Sequence, residues 1–141
     1  MNFKKIAKDY LRKAEARRKA VAVLMDEKSY DDVVRESQEV VELILKGTLR
    51  HIGIDPPKRH DVGDLLPKFK DRLPANWHSR LAEIETISKT HFEERGHAFY
   101  GDESSLMPAS ELFGKEDAQR ALAWTDQLLV LFRSLINSSS S

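Results

Sequence analysis

The 141-residue chain contains no cysteine, which excludes disulfide bonds, thiolate metal sites and a thiol nucleophile. It also lacks an excess of either charge, because 23 Lys and Arg residues balance 23 Asp and Glu residues. Domains that bind duplex nucleic acid over a broad surface are usually basic, so the zero net charge argues against that class. A small phosphate site or a contact between acidic and basic partners stays compatible with it.

Long apolar segments are missing as well. No apolar run approaches the roughly 18 residues of a membrane span, and residues 1–5 lead into a charged, periodic segment rather than the apolar core of a signal peptide. These absences predict a cytoplasmic protein without a membrane span. The length suits one domain with its own core. We expect that domain over residues 1–137, and a disordered tail over residues 138–141.

Helix breakers are scarce at both ends of the chain, since all five prolines and four of the six glycines lie between Gly53 and Pro108. Apolar residues at helical spacing predict long helices elsewhere. The predicted helices cover residues 3–28, 33–52, 61–69, 77–92 and 115–136. Asn76 is a candidate cap for the fourth helix, and Gly96 is expected to end or bend it. The pattern predicts an all-α, up-and-down bundle of four long helices and one short helix.

The last helix carries apolar residues on more than one stripe: Trp124, Leu131 and Phe132. Burial in the centre of the bundle explains this width, and a homodimer contact is the alternative. A loop over residues 101–114 precedes this helix. Such a loop is long for a compact domain, and long loops are often functional.

The first candidate site is the cationic cluster Lys58-Arg59-His60, which stands just before the short helix. Backbone N–H groups at a helix start favour an anion, so the cluster is a candidate phosphate contact. The alternative, which we favour, needs no ligand: Asp61 caps the short helix and His60 packs against the bundle.

The second candidate site is residues 91–103, where titratable, cationic and aromatic side chains crowd the end of a helix. Arg95 can form a forked contact with a phosphate. Phe99 or Tyr100 can stack on a base, and His97 can transfer a proton near neutral pH. The alternative is a structural helix end: Arg95 pairs with Glu93, Asp102 or Glu103, and both aromatic rings are buried.

Other patterns are weaker. His91, Glu94 and His97 are spaced as a metal site, but the two histidines diverge by about 120° around a helix, so we expect no metal. Nucleotide-binding glycine motifs are absent from the sequence, and we expect no cofactor. The row Glu39, Glu42, Lys46 offers an i,i+4 ion pair on what we interpret as a solvated helix face.

Three segments together resemble the HEPN domain (higher eukaryotes and prokaryotes nucleotide-binding). They are the run Ser37–Leu49, the stretch Gly53–Pro57 with His60–Leu66 after it, and the late motif Phe99–Glu103. The basic N-terminal helix is also similar to that family. The resemblance covers nearly the whole chain. It implies a helical bundle that forms a homodimer, and bacterial and archaeal members are often encoded beside a minimal nucleotidyltransferase as toxin–antitoxin-like pairs.

Many HEPN proteins are metal-independent ribonucleases in which four to six residues separate an Arg from a following His. This sequence departs from that spacing, because a single residue separates Arg95 from His97. Arg72 and His78 satisfy it, but Pro74 interrupts the stretch. The resemblance therefore predicts first a binding module for a nucleotide or RNA, with Arg95, Tyr100, Asp102, His60 and Arg59 as candidate ligand-binding residues. A ribonuclease or a scaffold that only oligomerises is the alternative.

Overall fold

A computed structural model describes residues 2–138 of the chain. The helices are α1 (Phe3–Asp26), α2 (Tyr30–His51), a 3₁₀ helix (Gly63–Arg72), α3 (Ala75–His78), α4 (Leu81–Tyr100), α5 (Ala109–Leu112) and α6 (Lys115–Ser138). This part of the chain contains no β-strand, so the predicted all-α class is confirmed. Ser138, expected in the tail, belongs to α6, and residues 139–141 lie outside the described residues.

The four long helices of the prediction are α1, α2, α4 and α6. α2 packs against the other three, so it forms the centre of the bundle. Its apolar residues explain this position, because they cover a broad stripe and are almost completely buried along its length. The prediction of one short helix was too low, since three short helices join the long ones.

The start and end of α4 differ from the prediction. The helix continues through Gly96 and ends at Gly101, whose φ of 75° and crowded surroundings exclude a side chain. The expected cap at Asn76 was also wrong, because Asn76 lies inside α3 and the chain turns once more before α4 begins. A helix tolerates an interior glycine at about 1 kcal/mol, which packing can offset.

The wide apolar surface of α6 is explained by burial within the chain. Leu131 and Phe132 are 8% and 0% exposed, and Trp124 packs against the same core while half-buried. The interpretation of these residues as core is therefore confirmed.

The segment before the 3₁₀ helix is fixed to α4. A Cβ at Gly63 would lie within 2.7 Å of the Ser88 Cβ, so the glycine permits close approach. Beside it, Ser88 Oγ donates to Asp61 Oδ1 at 2.6 Å, and the same oxygen accepts from the Gly63 N–H at 3.4 Å. The N-cap of the 3₁₀ helix is Val62, so the expected cap at Asp61 was wrong by one residue. Asp61 instead anchors the neighbouring His60 beside α4.

The loop over residues 101–114 is partly ordered by a backbone bridge between Asp102 and Met107, and α5 forms its second half. Among the residues described, no helix is both long and apolar enough to cross a membrane.

Candidate functional site

The outer edge of the contact between α2 and α4 holds the side chain of Arg95. Its Nε donates to Gln38 Oε1 at 3.0 Å, and its Nη2 donates to Glu39 Oε1 at 3.3 Å. The expected partners Glu93, Asp102 and Glu103 were wrong, because Arg95 faces α2. The Arg95 side chain is a quarter exposed, and a guanidinium has five N–H groups, so two hydrogen bonds leave further donors for a ligand.

A chain of hydrogen bonds continues from Gln38 to the first candidate cluster. Gln38 Nε2 donates to Glu42 Oε1 at 3.1 Å, and His60 Nδ1 lies 2.8 Å from the same oxygen. Lys46 Nζ lies 3.0 Å from Glu42 Oε2. Burial raises the pKa of Glu42, but the hydrogen bonds from Lys46, His60 and Gln38 outweigh it and hold the pKa below its usual value. Glu42 is therefore ionised, and its carboxylate joins Gln38, His60 and Lys46.

The ionised Glu42 fixes the ring of His60. Because a carboxylate only accepts, the proton lies on His60 Nδ1, and Nε2 of the neutral ring is left with its lone pair. The ring stacks on Phe92 at 6.4 Å between centroids and remains 40% exposed. His60 thus packs against the bundle, as favoured above, and still presents a proton acceptor at the surface.

Exposed aromatic rings lie along the same edge. Phe99 and Tyr100 are 56% and 67% exposed and contact each other edge to face at 4.7 Å, so the expectation that both are buried was wrong. The guanidinium of Arg35 lies over the Phe99 ring at 5.2 Å and reaches Glu39 at 3.4 Å. Two arginines therefore share one carboxylate beside two accessible rings.

We call this surface the α2–α4 face: Arg35, Gln38, Glu39, Glu42, Lys46, His60, Phe92, Arg95, Phe99 and Tyr100. Its three permanent cations exceed its two carboxylates, so it is weakly positive. A phosphate group and a stacked base match this mixture of arginines and exposed rings.

The other candidates from residues 91–103 do not join this face. His97 lies two residues after Arg95, about 200° further around α4, and is exposed on another side. Asp102 accepts from the backbone and hydroxyl of Ser104 at 3.1 and 2.7 Å, and the Ser104 hydroxyl leads the hydrogen bonds that lower its pKa. Asp102 therefore stabilises a turn.

The remaining cationic candidates are held elsewhere. Arg59 Nη2 lies 3.0 Å from Asp64 Oδ1 in an exposed ion pair. Arg72 Nη1 donates to the Ile52 carbonyl at 3.1 Å, and His78 Nε2 lies 2.9 Å from the Lys70 carbonyl. Arg72 and His78 are therefore each engaged with backbone oxygens at the other end of the bundle.

Within residues 2–138, no group of three or more His, Asp and Glu side chains could hold a metal ion. His91, one turn before Arg95 on α4, is 3% exposed and contacts Trp124 on α6. Burial, with a smaller contribution from Arg120, lowers the pKa of His91 to about 4.

Two residues of the face were missed by the sequence analysis, Arg35 and Gln38. The interpretation of Glu39, Glu42 and Lys46 as a solvated row was also wrong, since Glu42 and Lys46 are only 15% and 16% exposed. A signal was present: residues 35, 39, 42 and 46 are spaced by three or four, so they share one stripe of α2. Only the packing of the His60 segment and α1 over that stripe buries it.

Comparison with protein families yields one match, in which residues 7–135 fit the family model described as HEPN domain. Neither a curated protein nor a solved structure matches the chain significantly. The family match covers nearly all of the bundle, including both helices that build the α2–α4 face. The chain therefore belongs to the HEPN family.

Proposed function

We propose that this protein is a HEPN module that binds a nucleotide or single-stranded RNA on the α2–α4 face. Membership of the HEPN family supports a module related to nucleotides or RNA. The observation that carries the proposal is the pair of arginines, Arg35 and Arg95, held on either side of Glu39 next to exposed Phe99 and Tyr100.

The arginines supply the phosphate contact. Glu39 and Gln38 hold the Arg95 guanidinium in one orientation, so less side-chain freedom is lost when a phosphate binds. An arriving phosphate competes with Glu39 for both guanidinium groups. Because a phosphate offers several acceptor oxygens, it can accept N–H donors that Glu39 leaves unused.

The aromatic rings supply the base contact. Stacking on an exposed ring tolerates any base and contributes about 1 to 3 kcal/mol per base. With a small excess of positive charge, the face suits a short single strand or a mononucleotide better than a duplex.

The test is a calorimetric titration with AMP and with a single-stranded oligoribonucleotide. We expect Arg95→Ala and Phe99→Ala each to weaken oligonucleotide binding by about tenfold or more. The matched control is Arg133→Ala, which removes a half-exposed arginine that pairs with Glu15 across α1 and α6. Equal losses in Arg95→Ala and the control, or no binding by the unmodified protein, would refute the proposal.

The proposal includes a homodimer that meets along α4. A Cβ at Gly96 would find no atom within 4 Å, so no contact within the described chain explains a glycine in mid-helix. Among residues 2–138, three exposed large apolar side chains besides the rings assigned to the base also lie on α4 or the loop after it: Phe92, Leu106 and Met107. A helix of a second copy could approach α4 closely at Gly96 and cover these apolar side chains.

Gly96→Glu tests the dimer without disturbing the fold, because the new side chain has open space and replaces a poor helix former. We expect light scattering to give twice the chain mass for the unmodified protein and a single chain mass for the variant. A monomeric unmodified protein, or a variant that still dimerises, would contradict this part of the proposal.

The proposal also includes a nucleotidyltransferase as partner in a toxin–antitoxin-like pair. Its support is the resemblance of the chain to HEPN proteins encoded beside such enzymes. Co-expression with the product of any adjacent nucleotidyltransferase gene, followed by affinity purification, tests it. We expect the two proteins to elute together; separate elution at micromolar concentration argues for a module that acts alone.

Metal-independent RNA cleavage is the second candidate function, and the pairing of His60 with Glu42 favours it. The free Nε2 can accept the proton of a ribose 2′-hydroxyl, whose oxygen then attacks the adjacent phosphorus while Arg95 stabilises the charge. The 5′-oxygen leaves with a proton, and a cyclic phosphate remains. The pairs Arg95 with His97 and Arg72 with His78 lack such an arrangement.

Incubation with RNA in excess EDTA tests cleavage. We expect His60→Ala and Arg95→Ala to abolish any cleavage, while His97→Ala and His78→Ala leave it intact. Cleavage that survives His60→Ala but not His97→Ala would instead support Arg95 and His97, and cleavage that survives all four changes would point to a contaminant.

A further inference from the structure

A cleft of about 760 Å³ lies at the end of the bundle where α1 begins and where α2 and the 3₁₀ helix end. Its polar wall includes Lys4, His51 and Arg72, and its apolar wall includes Phe3, Ile52 and Leu135. Small-molecule sites usually measure about 300 to 1,000 Å³ and combine an apolar lining with a few convergent polar groups. The cleft has both properties.

This end of the bundle is positively charged although the whole chain is neutral. Six basic side chains on the first turns of α1 and the second half of the 3₁₀ helix make no ion pair among residues 2–138: Lys4, Lys5, Lys8, Lys68, Lys70 and Arg72. The acidic neighbours are few, because Asp9 is paired with Arg12 and only Asp71 lines the cleft. A local excess of unpaired cations attracts anions.

Arg72 is held at the edge of the cleft. Its Nη1 donates to the Ile52 carbonyl at 3.1 Å, and its guanidinium lies over the Phe69 ring at 5.7 Å. Gly53, with a φ of 87°, ends α2 beside it. These contacts orient the guanidinium through one N–H group, and no carboxylate among the described residues neutralises it.

The charge of Lys4 reaches into the cleft. Burial lowers the pKa of His51, and Lys4 lowers it further by electrostatic repulsion. Lys4 on α1 and Arg72 on the 3₁₀ helix therefore place two positive charges at one cleft beside a histidine that is itself held neutral.

We propose that the cleft binds a small organic phosphate, with Lys4 and Arg72 contacting the phosphate and the apolar wall covering the organic part. Two cations match the charge of a phosphate monoester, and the forked guanidinium suits its oxygens. The cleft is separate from the α2–α4 face, because Gln38 and Ile52 stand fourteen residues apart along α2, about 20 Å. It does not depend on the proposed function of that face.

AMP and inorganic phosphate are the probes, titrated by calorimetry into the Arg95→Ala protein so that the α2–α4 face is already weakened. We expect AMP to bind at least about tenfold more tightly than inorganic phosphate, because only AMP uses the apolar wall. In the same background, Lys4→Gln and Arg72→Ala should each weaken AMP binding by about tenfold. Lys89→Gln, which removes an exposed lysine of α4, is the matched control.

The variant Lys4→Gln keeps the test decisive if Arg72→Ala disturbs the end of α2, because the Lys4 side chain is exposed and donates no hydrogen bond within residues 2–138. An NMR titration of His51 adds a direct readout, since a bound phosphate should raise its pKa. The cleft site would be overturned, and the α2–α4 face supported, if Arg95→Ala alone abolishes AMP binding and Lys4→Gln in the otherwise unmodified protein leaves it unchanged. Absence of AMP binding in both backgrounds would overturn the cleft site and, for the α2–α4 face, leave only an RNA strand as its ligand.

Discussion

Two successive turns of α4 treat their polar groups in opposite ways. Toward α2, Arg95 and its neighbours form a connected chain of hydrogen bonds that stays partly open to water. Toward α6, His91 is 3% exposed, and neither ring nitrogen has a hydrogen-bond partner among the described residues. One turn of α4 thus presents accessible chemistry, and the turn before it holds a buried, uncharged histidine.

The difference shows that the number of titratable residues does not locate a site. His91 and Arg95 stand four residues apart, yet only Arg95 joins a network with spare donors. A buried group without partners is expected to act through stability, whereas a satisfied and exposed network can exchange its partners for a ligand. The predictions below test this contrast.

Acidification should have the largest effect on the free energy of unfolding, and it acts through His91. Because the pKa of His91 is about 4 in the folded protein and about 6.5 in the unfolded chain, the unfolded chain binds the proton first as pH falls. The free energy of unfolding should therefore decrease from pH 6.5 downward, by about 3 kcal/mol once pH 4 is passed. Urea unfolding at pH 7 and pH 4.5 measures it.

The control for this effect is His91→Leu, since carboxylates also titrate in the same range. We expect the variant to lose markedly less stability than the unmodified protein between the two pH values. Equal losses would mean that His91 does not stay neutral in the folded state.

The carboxylate of Glu42 should contribute less to the free energy of unfolding. Glu42→Gln removes the charge that Lys46 and His60 share, and we expect the free energy of unfolding to fall by about 1 to 2 kcal/mol at pH 7. Lys46, at 16% exposed, would then lack its ion pair. Thermal unfolding measures the loss, and Glu36→Gln, at an ion pair of 4.0 Å with Arg17, is a control that should change little.

Gly96→Ala tests the outer surface of α4. Alanine finds open space there and restricts the unfolded chain, so we expect a gain of about 0.5 to 1 kcal/mol in the isolated chain. Measurements at low protein concentration separate this gain from any loss of a dimer. A destabilised monomer would show that α4 is not a regular helix at Gly96.

Arg95→Ala should have the smallest effect on stability, below about 1 kcal/mol, because its ion pair with Glu39 is a quarter exposed on both partners. The same change should weaken nucleotide binding by about tenfold. Paired measurements of unfolding and binding check this. A stability loss as large as that of Glu42→Gln would assign Arg95 a structural role and remove the contrast between Arg95 and His91.

Much of the fold follows from the sequence. The apolar spacing predicts the four long helices and one short helix over residues 61–69, but not α3 or α5. The end of α4 could not be predicted from Gly96 or Gly101 alone, because both residues permit a helix end. The close approach of Met107 to Gly101 selects the second position, and that contact forms only in the folded loop.

The sequence by itself determined the helical class, the HEPN resemblance and four of the candidate side chains on the face: His60, Arg95, Phe99 and Tyr100. Only the tertiary structure decided that they belong together. The parts of the α2–α4 face meet because α4 packs against α2 and because Ser88 anchors the segment before the 3₁₀ helix. These parts are residues 35–46, 60 and 92–100. Helical periodicity is local along the chain, whereas the hydrogen bonds that join Arg95 to His60 through Gln38 and Glu42 connect distant segments.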